Sequence, residues 1–112
     1  MGTMNLSFPE RIRVDAIIQA AMDMEAAPLL HALAPIGDDE TPHAVLAGTH
    51  KTQRFALGIL DGKTVLVVTS GIGLANAASA TARALTLVDA PIVIAAGTTG
   101  GLARDINVGD IA

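Results

Sequence analysis

The dipeptide Asp61-Gly62 constrains this chain more than any other feature. It stands between "QRFALGIL", residues 53–60, and "KTVLVVTS", residues 63–70, two apolar runs rich in strand formers. Asp-Gly between such runs signals a hairpin, because both residues tolerate the positive φ of a tight two-residue turn. Two adjacent antiparallel strands are therefore expected, and with them a sheet that the remaining segments must extend or cover. "VDAIIQAA", residues 14–21, reads as a mostly buried strand, and "PIVIAAG", residues 91–97, as a short buried one. A helix should follow the first strand. Pro28 is tolerated in a helix's first turn and clashes further in, so the helix should start near Met24 or Glu25 and run to about Ala34. "LANAASATARALTLV", residues 74–88, is a second helix, with Leu74, Ala78, Leu85 and Val88 available to one sheet-covering face.

This β-α-β-β-α-β order predicts an α/β fold, a three-layer sandwich whose mixed central sheet is flanked by helices. Hydrophobic residues make up 51% of the chain and aromatics only 2%, so the core must be built from Ala, Val, Ile and Leu, which suits a buried sheet under helices. At 112 residues there is room for one small domain or part of a larger one. Residues 1–12 read as a loose extension and 13–112 as the body. "VGDIA" at the end looks cut in the middle of an element.

Several functions are disfavoured. The net charge is −4 and the seven Lys and Arg residues are scattered, which gives no electrostatic footprint for nucleic acid or an anionic membrane. With no cysteine there is neither a disulfide framework nor a thiolate metal site. The first residues lack an apolar signal-peptide region, and no uninterrupted apolar stretch is long enough to span a bilayer, so a soluble, cytoplasmic protein is expected. Gly71-Ile72-Gly73-Leu74-Ala75-Asn76 starts like a dinucleotide fingerprint and ends in Asn, with no acidic residue closing a second strand at the required distance. Gly97-Thr98-Thr99-Gly100-Gly101-Leu102 lacks the lysine of a phosphate loop. His31, His43 and His50 show no metal-ligand spacing. Asp38, Asp39 and Glu40 with His43 would make a weak metal site at most, and the acids read first as a solvated loop. No metal or organic cofactor is expected.

In an open α/β sheet, ligands bind outside the carboxyl ends of the parallel strands. Three polar or glycine-rich junctions fall there: Met22 to Glu25, Ser70 to Gly73, and Gly97 to Gly101. Asp23 is a good helix N-cap. Glu25 either complements the helix dipole or, enclosed between apolar neighbours, has its pKa raised towards the range useful for acid/base work. The glycines of 97–101 either turn the chain at positive φ or let a planar ligand approach the backbone beside the Thr98 hydroxyl. Ser70 to Gly73 has the same two readings, with Ile72 either core or pocket wall.

"AAMDMEAAPLL", "SGIGLANAASAT" and "AAGTTGGLARDINVGDIA", in this order and at these distances, resemble the N-terminal half of the nucleoside phosphorylase/nucleosidase superfamily, and within it most resemble the 5′-methylthioadenosine/S-adenosylhomocysteine nucleosidases. The resemblance covers roughly residues 14–112. Phosphorylases of this fold hold phosphate with a glycine/proline/arginine motif after the first strand and an arginine three residues before the loop hydroxyl. Here those places read Met22-Asp23-Met24-Glu25 and Ala95. A carboxylate takes a proton from water whereas it repels phosphate, so the resemblance implies hydrolysis of the N-glycosidic bond with release of adenine, a methionine-salvage reaction.

Residue by residue, it implies that Glu25 activates the attacking water and that Met22 and Ile72 surround the ribose and the 5′-alkylthio group. Thr98 would lie near the ribose and nucleophile, where serine is common, and Thr99 and Gly100 would line the purine. The family's general-acid aspartate and the glutamate that grips the ribose hydroxyls belong to its C-terminal half, so the 112 residues alone are expected to be inactive. The family also implies a homodimer in which a partner residue caps the alkylthio pocket. A futalosine-type or other purine nucleoside hydrolase of the same superfamily, and a catalytically silent nucleoside-binding relative, remain as alternatives.

Overall fold

A computed structural model describes residues 11–36, 43–44 and 53–111. The acids Asp38, Asp39 and Glu40, His50, and most of the N-terminal extension lie outside the described residues, and His43 is placed by its backbone alone. The elements are β1 (Ile12–Arg13), β2 (Ala16–Ala20), α1 (Asp23–Ala32), β3 (His43–Ala44), β4 (Arg54–Leu60), β5 (Lys63–Thr69), α2 (Leu74–Leu87), β6 (Val88–Asp89) and β7 (Val93–Ala95).

The Asp61-Gly62 turn forms as expected, with φ of 49° and 78° at its two residues. It fixes the antiparallel register of β4 on β5, from Leu60 opposite Lys63 to Arg54 opposite Thr69. β2 then lies parallel to β5 on one side and parallel to β7 on the other, giving the mixed order β3-β4-β5-β2-β7. Alternate residues of the central strands feed two cores. Ile17, Leu66 and Val68 pack with Phe55, Leu57, Ala80, Ala84 and Val88 under α2. Ile18, Val65 and Val67 pack with Ala26 and Leu33 under α1. The expected three layers are thus present. Ile17, Leu66, Val67, Val68 and Val88 are fully buried, each worth about 1.5–3 kcal/mol of transfer free energy.

Several local expectations are corrected. α1 starts at Asp23 and ends at Ala32, so Pro28 sits in its second turn, where its ring removes the bond that the Met24 carbonyl would accept. The face that α2 buries is Ala80 and Ala84, whereas Leu74 is 90% exposed and Ala78 and Leu85 face outward. Small side chains let the helix lie close to the sheet, and Gln19 of β2 completes the seam. Its amide donates to the Ala77 carbonyl at 3.0 Å and accepts from the Thr81 hydroxyl at 2.7 Å. β7, expected to be buried, is an edge strand with Val93 and Ile94 exposed. Arg11 and Ile12, read as the end of a loose extension, are engaged: the Arg11 guanidinium donates to the Leu85 carbonyl at 2.9 Å, and β1 pairs with β6. Val108 and Gly109 form a turn, in which the Asp110 amide donates to the Asn107 carbonyl at 3.1 Å.

Candidate active site

β2, β5 and β7 run parallel, so their carboxyl ends, and the three junctions that follow them, lie on one edge of the sheet. At the first, the chain leaves β2 and enters α1 through Met22, whose extended backbone (φ −126°, ψ 154°) makes it the N-cap. Asp23 is therefore the first helical residue, not the cap. Its carboxylate instead receives a hydrogen bond from Arg54 Nη1 at 3.0 Å. Glu25 is the third helical residue, the position from which a glutamate reaches back to the cap backbone. Its Oε1 accepts the Met22 N–H at 3.2 Å.

The other carboxylate oxygen joins this junction to the third. Glu25 Oε2 accepts the Thr98 backbone N–H at 2.7 Å and the Thr98 hydroxyl at 3.1 Å. Such an approach requires glycine at the preceding residue. A Cβ on Gly97 would lie 2.7 Å from Oε2 and 3.3 Å from the carboxylate carbon. Gly97, Gly100 and Gly101 do not adopt positive φ, whereas Gly71 and Gly73 do, at 84° and 99°. The turn reading thus holds for Ser70 to Gly73, while Gly97 is needed for proximity.

Of the two readings of Glu25, these bonds go against the one with a raised pKa. The Thr98 backbone N–H, then the Thr98 hydroxyl, hold its carboxyl below the ordinary value of 4.5. Partial burial pushes the other way and loses, since the Met22 and Ala21 backbone also favours the charged form. Glu25 is a carboxylate at neutral pH.

Beside it lies an open cleft of about 420 Å³. Met22, Asp23, Arg54, Gly71, Ile72 and Asn76 line it, and Met22 is the lining residue that bonds Glu25. Asn76 fastens the second junction by donating to the Ile72 carbonyl at 2.7 Å, and the Ser70 N–H bonds the Ala20 carbonyl at 2.8 Å. Ile72 is 71% exposed, a wall residue and not core. Of the residues singled out in the sequence, Glu25 and Thr98 are brought into contact, and Met22 and Ile72 line the cleft. Thr99 and Gly100 lie exposed beyond Thr98 and make no hydrogen bond among the described residues.

Arg54 was missed in the sequence, although the hairpin turn carried the signal. A two-residue turn at 61–62 pairs residues whose numbers sum to 123, which sets Arg54 opposite Thr69 at the carboxyl end of β5. Among the described residues no cluster of His, Asp or Glu suits a metal ion, and no helix is long and apolar enough to cross a membrane.

A mixed sheet with a crevice at the carboxyl ends of its parallel strands defines an α/β class. The chain belongs to the phosphorylase superfamily, whose family model matches residues 15–112. Among individual relatives, the 5′-methylthioadenosine/S-adenosylhomocysteine nucleosidase of Anoxybacillus flavithermus is 46% identical over 57 residues, 51% of this chain and 25% of that protein. The enzyme of the same name from Staphylococcus aureus is 31% identical over 94 residues, 84% of this chain and 37% of the relative. The solved nucleosidase of Neisseria meningitidis in complex with methylthio-immucillin-A superposes with a TM-score of 0.71 at 33% identity, covering 86% of this chain and 38% of that one. That of Colwellia psychrerythraea in complex with adenine gives 0.67 at 34% identity, covering 90% and 37%. The chain thus spans between a quarter and two fifths of the length of these relatives.

Proposed function

We propose that the full encoded protein hydrolyses the N-glycosidic bond of 5′-methylthioadenosine and S-adenosylhomocysteine, releasing adenine, and that water is the nucleophile. The observation that carries this reading is the Glu25 carboxylate, held ionised by Thr98 and Met22 at the edge of the crevice. The likeness to nucleosidases solved with adenine and with a methylthio nucleoside analogue supports the substrate class.

As the bond to adenine breaks, positive charge develops on the ribose, and a fixed carboxylate nearby stabilises that charge without reorganising. Water attacking so electrophilic a carbon loses its proton late. A carboxylate of low pKa is then a sufficient acceptor and, more importantly, a director of the water. Thr98 positions Glu25, and Met22 and Ile72 offer apolar surface to the 5′-alkylthio group. Thr99 and Gly100 lie along the segment that would border the purine. The reaction belongs to methionine salvage in the cytoplasm, in a homodimer whose partner subunit covers the open side of the cleft.

Arg54 is a cation at this cleft, and it favours one competing reading, phosphorolysis. Its bond to Asp23 and the anionic Glu25 beside the crevice argue against a phosphate nucleophile. Adenine release from 5′-methylthioadenosine, measured in phosphate-free buffer and again with phosphate, decides between them. Hydrolysis gives equal rates in both; release only with phosphate would overturn it.

A further inference from the structure

The Arg54–Asp23 pair lines the cleft together with Met22, and Arg54 comes from β4, across β5 and β2 from the β7 junction that carries Thr98. The pair's two side chains are 68% and 66% exposed. An exposed ion pair of this kind contributes little to stability and opens readily. The bond to Asp23 uses one of the five N–H donors of a guanidinium. The remaining donors form a planar fork suited to a carboxylate, and Asp23 Oδ2 stays available to an ammonium.

The cleft lining thus combines the apolar side chains of Met22 and Ile72 with a cation and an anion side by side, Arg54 and Asp23. That is the pattern of a thioether tail ending in an α-amino acid. We propose that Arg54 and Asp23 bind the carboxylate and ammonium of the homocysteine portion of S-adenosylhomocysteine and so set the preference between that substrate and 5′-methylthioadenosine, which ends in a methyl group. This assignment rests on the proposed nucleosidase reaction. Arg54 and Asp23 act on binding of the tail and take no part in bond breaking, so their effect falls in KM for the charged substrate.

The test compares kcat/KM for the two substrates in the full encoded protein and in Arg54→Met, Arg54→Lys and Asp23→Asn, each checked for an unchanged melting temperature. Loss of one exposed charged contact is expected to lower the ratio of S-adenosylhomocysteine to 5′-methylthioadenosine efficiency by about three- to tenfold. The loss should lie in KM, with Arg54→Lys retaining part of the preference. A ratio that stays at the wild-type value, or a parallel fall for both substrates, overturns the proposal. If the wild type cleaves neither substrate, the proposed reaction is what has failed. Binding titrations of the same two ligands to the same variants then make the comparison: selective loss of S-adenosylhomocysteine affinity supports the assignment, and equal affinities refute it.

Discussion

Gly97→Ala separates the site from the fold. The added Cβ would lie 2.7 Å from Glu25 Oε2 and 3.3 Å from its carboxylate carbon. Non-bonded contact requires roughly 3.3 Å or more, so the carboxylate oxygen has to retreat by about 0.6 Å. The 2.7 Å bond from the Thr98 N–H then lengthens beyond good hydrogen-bond geometry. The atoms that move are the end of a flexible side chain, and the Gly97 backbone does not occupy the left-handed region. Alanine should therefore change stability by no more than about 1 kcal/mol, and reduced freedom of the unfolded chain favours it. Misplacing a catalytic group by a fraction of an ångström costs far more in rate, about tenfold to hundredfold. Adenine release by the full encoded protein, read beside a thermal melt, should show that fall in kcat/KM with little change in melting temperature. Wild-type turnover in Gly97→Ala would refute the reasoning, because it would mean that the Glu25 position fixed by Thr98 is not the one the chemistry uses.

Thr98→Ala removes the hydroxyl bond to Glu25 and keeps the backbone one. The folded pKa of Glu25 is depressed, so the stability it contributes is present above its ordinary value of 4.5 and is lost as pH falls through the lower folded value. In Thr98→Ala the acid limb of kcat/KM should move up towards 4.5, as a pH–rate profile would record. Gln19→Leu removes both bonds across the β2–α2 seam, while the Thr81 hydroxyl keeps its 2.8 Å bond to the Ala77 carbonyl, so urea unfolding should show a loss of about 0.5–1.5 kcal/mol. Gly62→Ala, at φ 78°, should cost about 1 kcal/mol in the same assay and leave turnover intact, since the turn lies at the opposite end of β5 from the site.

The hairpin was legible because Asp-Gly chemistry fixes register locally, and that register already implied the place of Arg54. The two-sided sheet was legible from apolar runs, and the junction carboxylate from its place between strand and helix. Other features depended on packing that no single segment reveals. The bulky Leu74 and Leu85 suggested the wrong face for α2, because close approach to the sheet selects Ala80 and Ala84. The apolar β7 lies exposed because it is an edge strand here. Asp23 was read as a cap on local preference, whereas Arg54, distant in sequence, engages it. The pKa of Glu25 is lowered because its decisive donors come from Thr98, 73 residues away, whereas the nearby sequence offered only the helix dipole and burial, which act in opposite directions.

Glu25 is the proposed catalytic carboxylate. The measurement that tests this role most directly is single-turnover adenine release by Glu25→Gln in the full encoded protein, set beside its affinity for adenine. Glutamine keeps the shape and an oxygen for the Thr98 N–H while removing the charge. Release should fall by at least about a hundredfold with adenine affinity within a few-fold of wild type. Release at the wild-type rate from a correctly folded Glu25→Gln protein would contradict the account.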